Sequence, residues 1–294
     1  MRPLDGFTLQ TSDFRWIGRD LSRPECIVAE RDGTLWVSDN RAALTRIDPD
    51  GRQALIGTMR GAPNGFAVEA DGSFLVANIE HGRFYRQRRD GEHQVVLDAW
   101  ESAPLGSANF ALRDRNGRMW ATVSTRTAPR SQAVHARIPD GYLLCCNNGQ
   151  WRLAASGFCF TNEVRVNDAG DHLFLAETAA GRILRLPLHA DGSLGAADVF
   201  GPDPLFPGAR VDGITFDASG NLWVTEITRN ALIVIAPDGR AHTVFEDPDG
   251  STLLVPTSLT FCGPDLRTAL IGSLEMDRLA AFTAPVPGQR LAHW

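Results

Sequence analysis

The chain has no run of eighteen or more apolar residues, no excess of positive charge, no paired metal-ligand spacing and no long segment of helical period. Each absence removes a class of protein. Without an apolar run there is no helix to cross a bilayer. The start, MRPLDGFTLQTSDFRW, has no charged segment followed by an apolar stretch, so the expectation is a cytoplasmic protein with no membrane partner. A net charge of −6 offers no basic footprint to phosphate backbones, which argues against nucleic acid. The five cysteines (Cys26, Cys145, Cys146, Cys159, Cys262) are odd in number and lack zinc spacing; they read as reduced packing residues. The seven histidines form no H-x-x-H pair, and no G-x-S-x-G elbow presents a serine nucleophile. The helical crossovers that an α/β fold needs are missing too.

What the chain does have is a repeat. PECIVAERDGTLWVSDN (24–40) aligns with PNGFAVEADGSFLVANI (63–79): a polar residue, a short apolar strand, an Asp-Gly turn and a second apolar strand. The pattern returns from 108, 161, 211 and, more loosely, 257. From leading polar residue to large apolar residue of the second strand the count is 11 in four units (Glu25 to Trp36, Asn64 to Leu75, Asn109 to Trp120, Asp212 to Trp223). It is 12 in the other two, Asn162 to Phe174 and Ser258 to Leu270. Further alternating stretches follow each hairpin, giving about four strands per unit. Leading residues spaced by 39, 45, 53, 50 and 46 predict an all-β, six-bladed β-propeller of four antiparallel strands per blade.

Closure is legible as well. WIGRDLSRPE (16–25) aligns with LIGTMRGAPN (55–64), so residues 14–19 read as a fourth strand without three before it. They are expected to complete the sixth blade near 278–283, leaving residues 1–294 as one propeller domain. At 294 residues and 43% hydrophobic, the chain can bury a core of that size.

In a propeller the first strand of each blade lines the central channel, so the leading residues Glu25, Asn64, Asn109, Asn162, Asp212 and Ser258 crowd around one mouth. Two carboxylates, three carboxamides and a hydroxyl in a confined space need a partner for their charge and polarity. All are hard oxygen donors, which points to one divalent cation, Ca2+ first, with Mg2+, Mn2+ or Zn2+ as other ions such a site could take, and argues against a dedicated zinc or copper centre. A water-filled channel lined by amides is the competing reading of the ring.

With this ring in view, the chain resembles the regucalcin and gluconolactonase (SMP-30) family, relatives of the squid-type organophosphate hydrolase and the paraoxonases. The resemblance lies in Pro-Glu at Glu25, GSANF around Asn109, FTNE at Asn162 and VDGI at Asp212, each ahead of a G-x-L-W-like strand, and runs from residue 14 on. It implies that Glu25, Asn162 and Asp212 bind the metal, that Asn109 contacts substrate or metal, and that Asp212 is general base or nucleophile. The expected activity is hydrolysis of a lactone, a small-molecule substrate, by metal polarisation of its carbonyl and Asp212-assisted attack of water. The alternatives are a phosphotriesterase-like hydrolase and a non-catalytic ligand-binding propeller. Oligomeric state is left open.

Where members of that family often have Arg-x-Asn-Asp, this chain reads SANF, with Ser107 in place of the arginine and Phe110 in place of the aspartate. A less polar lactone or another ester is therefore expected, with Asn64, Ser107, Asn109, Phe110 and His135 as substrate contacts. The insertions at 124–142 and 200–211 fall on the mouth side and are expected to roof it, offering Arg126, Arg130, His135, Phe206 and Arg210. Glu163 is expected to turn away from the metal. Asp39, Glu177 and Glu226, at the mouth ends of second strands, are expected to tie down loops.

Overall fold

The computed structural model describes Leu4 and residues 6–294; residues 1–3 and 5 of the opening segment lie outside the described residues. Apolar alternation interrupted by Asp-Gly and similar turns gives six antiparallel sheets of four strands each, arranged as a six-bladed β-propeller. The innermost strands are Ile27–Ala29, Pro63–Val68, Ala108–Arg113, Thr161–Val166, Val211–Phe216 and Pro256–Cys262. No helix among the described residues is long and apolar enough to cross a membrane.

The sixth blade closes as the sequence leads one to expect. Arg15–Ile17 pairs antiparallel with Leu279–Thr283, placing Arg15 opposite Ala281, Trp16 opposite Ala280 and Ile17 opposite Leu279. A first-to-last pairing leaves no blade with an unfinished edge, which an all-β ring needs to avoid. Phe14 packs beside this seam, its ring 4.7 Å from that of Phe245 and 5.8 Å from that of Phe282.

Blades are held to one another by apolar side chains and by hydrogen-bonded turns. Trp120 and Trp223 are buried, and each indole Nε1 donates to the aspartate that opens its own hairpin, Asp114 at 3.0 Å and Asp217 at 3.1 Å. Trp36 stacks at 4.7 Å on Phe74 of the next blade, with the Arg89 guanidinium over both rings. On the mouth side Asp39, Glu177 and Glu226 each accept from the backbone of the connection entering their own blade: Ser22 N, Cys159 N and Arg210 N. These carboxylates tie loops, as the repeat suggested.

The far end of the channel holds a feature that the repeat does not announce. The C-terminal tail crosses it: Gln289 donates to Phe216 O and Val166 O, while the His293 and Trp294 rings both reach Ala29 O. The tail thus covers the ends of inner strands from blades 1, 4 and 5, leaving a cavity of about 130 Å³ lined by Phe66, Phe110 and Arg165.

Closure energy therefore sits in the buried seam rather than in the exposed edge of the N-terminal strand. Phe282, fully buried, is expected to cost about 3–5 kcal/mol on truncation to alanine. Trp16, 40% exposed under Arg278, should cost less than about 1.5 kcal/mol. Urea unfolding midpoints of Phe282→Ala and Trp16→Ala check this order, and equal losses would contradict it.

Candidate functional site

Five of the six leading residues sit at a register shift. The inner strand carries one extra residue between Pro63 and Phe66, Ala108 and Phe110, Thr161 and Val164, Val211 and Ile214, and Pro256 and Leu259. A β-bulge bends the strand and re-aims one side chain. Here it falls at Asn64, Asn109, Asn162, Asp212 and Ser258. Glu25 stands two residues before its strand and is held by its carbonyl, which accepts from Thr257 Oγ1 at 2.7 Å and Ser258 N at 3.2 Å of the sixth blade. Glycines after two of these residues let neighbouring strands close in: a Cβ at Gly65 would stand 2.1 Å from the Phe110 ring, and one at Gly213 would stand 2.5 Å from Thr257 O.

All six side chains are buried, none more than 6% exposed. Hydrogen bonds divide them into two groups. Asn64 is fully engaged: its Nδ2 donates to Glu25 Oε1 at 2.9 Å and Asn109 O at 2.9 Å, and its Oδ1 accepts from Arg23 Nη2 at 2.7 Å. Asn109 donates from Nδ2 to Ser124 Oγ at 2.8 Å. These two amides brace the wall. By contrast Glu25 Oε2, Asn162 Oδ1, Asp212 Oδ1 and Ser258 Oγ are buried oxygens with no hydrogen-bond partner. Asn162 is oriented by its Nδ2, which donates to Thr178 Oγ1 at 3.1 Å.

The electrostatics follow from that burial. Loss of water pushes the Glu25 carboxyl well above its ordinary range, the Arg23 guanidinium opposes the rise, and the charges of Asp212 and Glu163 add to it. Burial first and Glu163 second raise Asp212 to about 7. Glu163, expected to turn away from the metal, is buried and bound by its own neighbours. It is 1% exposed, Oε2 meets Arg165 Nη2 at 2.8 Å and Ile214 N at 3.2 Å, and Oε1 is left without a partner. Three carboxylates, Glu25, Glu163 and Asp212, thus share the channel with two guanidiniums, Arg23 and Arg165.

Among the described residues no group of three or more His, Cys, Asp or Glu side chains is placed to hold a metal. The open oxygens of Glu25, Asn162 and Asp212 form a mixed carboxylate and amide set instead. The donor set fits a hard cation, since each member is an oxygen whose desolvation is otherwise uncompensated.

The remaining sequence candidates are dispersed. Ser107 is buried, its backbone paired with Thr125 O and Ser124 N, and it lines the outer groove between blades 2 and 3. Phe110 is 2% exposed, lies under the Arg165 guanidinium at 4.7 Å and lines the cavity at the tail end, whose walls include none of the six ring residues. Its ring therefore packs away from the ring residues, one position after the bulge that carries Asn109. His135 is exposed at the end of the short helix Ser131–His135, where its Nδ1 meets Arg210 Nη2 at 2.8 Å.

Sequence reasoning missed Arg23. Its backbone sits at φ 55°, a left-handed conformation rare outside glycine, which turns its guanidinium toward Asn64. It adds a guanidinium from the connection before blade 1 to those expected from the 124–142 and 200–211 insertions, while the SANF strand supplies none. The only sequence signal was its place two residues before Glu25.

Comparisons with known proteins agree with this fold. Residues 23–275 match the family model described as SMP-30/Gluconolactonase/LRE-like region. The chain is 24% identical over 272 residues to a 6-deoxy-6-sulfogluconolactonase of Pseudomonas putida, covering 90% of this chain and 87% of that one. It is 24% identical over 200 residues to the diisopropyl-fluorophosphatase of Loligo vulgaris, covering 64% of each. Among solved structures, the calcium-binding protein regucalcin of Agrobacterium tumefaciens superimposes with a TM-score of 0.75 at 18% identity, over 94% of this chain and 96% of that one.

The close approach at Gly213 is expected to be essential to the ring. Gly213→Ala should lower stability by about 1–3 kcal/mol through overpacking against Thr257 and Ser258. Gly220→Ala, in an open turn at φ 77°, gives the cost of a backbone conformation alone. Chemical denaturation of both variants reads the comparison; an undisturbed Gly213→Ala protein would contradict the packing described.

Proposed function

The chain belongs to the SMP-30/gluconolactonase/LRE-like family, and from that membership together with the ring we propose that it hydrolyses a lactone with the help of one divalent cation, calcium first. The observation that carries this reading is the trio of buried, unpartnered oxygens Glu25 Oε2, Asn162 Oδ1 and Asp212 Oδ1. Leaving such a group unsatisfied costs about 1–3 kcal/mol, more when it is charged. A hard cation held by these three residues satisfies all of them, and the two carboxylates balance its charge. The similar protein named as a calcium-binding regucalcin supports that choice of ion, and the relative named as a sulfogluconolactonase supports a lactone as substrate.

When bound, the ion would supply Lewis acidity toward the ester carbonyl. The chain's own residues do the rest. Asp212 accepts a proton from the attacking water as its oxygen bonds to the lactone carbonyl carbon. Its open Oδ1, buried and without a hydrogen-bond partner, is the acceptor proposed for that proton. As the ring C–O bond breaks, the same proton passes to the departing alkoxide, giving a hydroxy acid and restoring the carboxylate. Asn64 and Asn109 hold the wall of the site through their mutual hydrogen bonds, and Arg23 keeps a positive charge beside Glu25 and Asp212. Ser107 and Asn109 are the residues proposed to meet the substrate.

The similarity to diisopropyl-fluorophosphatase supports a second reading, attack at phosphorus on the same scaffold. A group that polarises C=O can polarise P=O.

Chelator-stripped protein is expected to lose lactone hydrolysis and regain it with calcium, tested on a panel of γ- and δ-lactones beside phosphotriesters. Asp212→Asn should lower turnover by about 10²–10⁴-fold, the usual worth of a positioned base. Glu25→Gln should weaken calcium binding by at least about tenfold in calorimetry, with folding kept. Full turnover in the Asp212→Asn enzyme would remove the base assignment, and faster phosphotriester than lactone turnover would favour the second reading.

A further inference from the structure

All 29 basic residues of this chain are arginines, set against 35 acidic ones. Many of them are spent on carboxylates: Arg41, Arg86, Arg118, Arg182 and Arg185 each meet an Asp or Glu within 2.7 Å. The guanidiniums around the mouth are different. Among the described residues Arg23, Arg130 and Arg210 have no carboxylate at ion-pair distance. Arg23 gives two of its five N–H groups to neutral oxygens, Pro63 O at 3.1 Å and Asn64 Oδ1 at 2.7 Å. The Arg210 guanidinium meets the imidazole of His135. Arg130 stands near enough to Arg23 for their charges to repel, and only the five-residue helix Ser131–His135, about 7.5 Å of rise, separates it from the His135–Arg210 contact.

The nearby carboxylates Asp140 and Glu226 hydrogen-bond to neutral donors rather than to these guanidiniums, while Arg23 feels the charges of Glu25 and Asp212. Asp140 is consumed by Thr125 Oγ1, Arg126 N, Thr127 N and Thr127 Oγ1. Glu226 is consumed by Arg210 N, Thr228 and Arg229 N. Glu80 and Asp98 line the outer groove of about 1000 Å³ between blades 2 and 3 together with Arg83, Arg126 and Arg130. Three guanidiniums without an ion-paired carboxylate among the described residues thus stand on mouth-side connections, Arg23 and Arg210 each two residues before a ring carboxylate.

Such an arrangement draws anions and repels nothing that a lactone needs. Resting on the lactonase reading above, we propose that the substrate is an anionic lactone, one that carries a sulfonate, phosphate or carboxylate group away from its ester. Arg130 and Arg210 hold that group at the rim while the ester reaches the ring. Arg23, between rim and ring, donates its remaining N–H groups to the same end of the molecule. The planar fork of a guanidinium suits oxyanions bidentately, and a chain without lysine has only forks to offer. This specificity replaces the less polar substrate that Ser107 and Phe110 suggested: Phe110 is not at the mouth, and guanidiniums from other connections are.

The test is kcat/KM on pairs of δ-lactones alike except that one bears a terminal sulfonate, phosphate or carboxylate and the other a hydroxyl, at about 10 mM and 300 mM ionic strength. The expected result is a preference of at least about tenfold for a charged member at low salt, shrinking at high salt as screening sets in. Arg130→Gln with Arg210→Gln should collapse that preference toward unity. The three charged arms show which oxyanion is taken. Hydrolysis of both members at equal rate at low salt overturns the inference and leaves the lactonase reading standing. If no lactone turns over, the lactonase reading fails instead. Calorimetry with the ring-opened sulfonate or phosphate acids then decides: salt-sensitive binding lost in the double variant supports the arc as an anion site, and no binding overturns it.

Discussion

Charged and amide oxygens in a narrow channel must be desolvated, and every other feature of this structure answers that constraint. Six polar side chains cannot converge on one axis unless neighbouring blades close tightly, which is why Gly65 and Gly213 stand where any Cβ would strike the next strand. Strand irregularity at the same position re-aims these side chains. The extra residue at the start of five inner strands bends the strand where the polar residue sits. Hydrogen bonds then satisfy Asn64 and Asn109, leaving Glu25, Asn162 and Asp212 with open oxygens.

The two chain ends serve the same channel from opposite directions. The N-terminal strand completes blade 6, and the carbonyl of Glu25 binds Thr257 and Ser258 at the first-to-last junction, so ring closure and placement of a ring carboxylate are one event. The C-terminal tail crosses the far end, with Gln289, His293 and Trp294 bonded to inner strands of three blades. The approach to the ring is thereby set from the mouth side, where the loops carrying Arg23, Arg130 and Arg210 lie. Chemistry at the bottom of the mouth and charge at its rim are supplied by different parts of the chain, which lets one vary without the other.

Much of this was legible beforehand because a propeller writes its period into the sequence. A leading polar residue 11 or 12 positions before a large apolar one, six times over, fixed blade number, strand count and the six ring positions. It also located the closing strand, since a lone fourth strand at 14–19 has only one vacant edge to fill. The acidic residues at the ends of second strands were readable as loop ties for the same reason, their recurrence at one register position. Phe110 was misplaced because it occupies a family motif position next to Asn109, yet a bulge separates the directions of adjacent side chains. Glu163 was expected from alternation to turn away from the metal; beside the bulge at Thr161–Val164 it is bound by Arg165 and Ile214 N.

The sequence by itself therefore determined what repeats: the six-bladed fold, its closure and which polar residues face the axis. Periodicity is a local property of the chain and survives without coordinates. Only the tertiary structure decided what does not repeat. The left-handed turn that swings Arg23 to Asn64, the Arg210 contact with His135 across 75 residues, and the tail over the far end each occur once. Which ring oxygens stay unpartnered was likewise decided there, because a hydrogen bond between blades depends on distances that no spacing along the chain encodes.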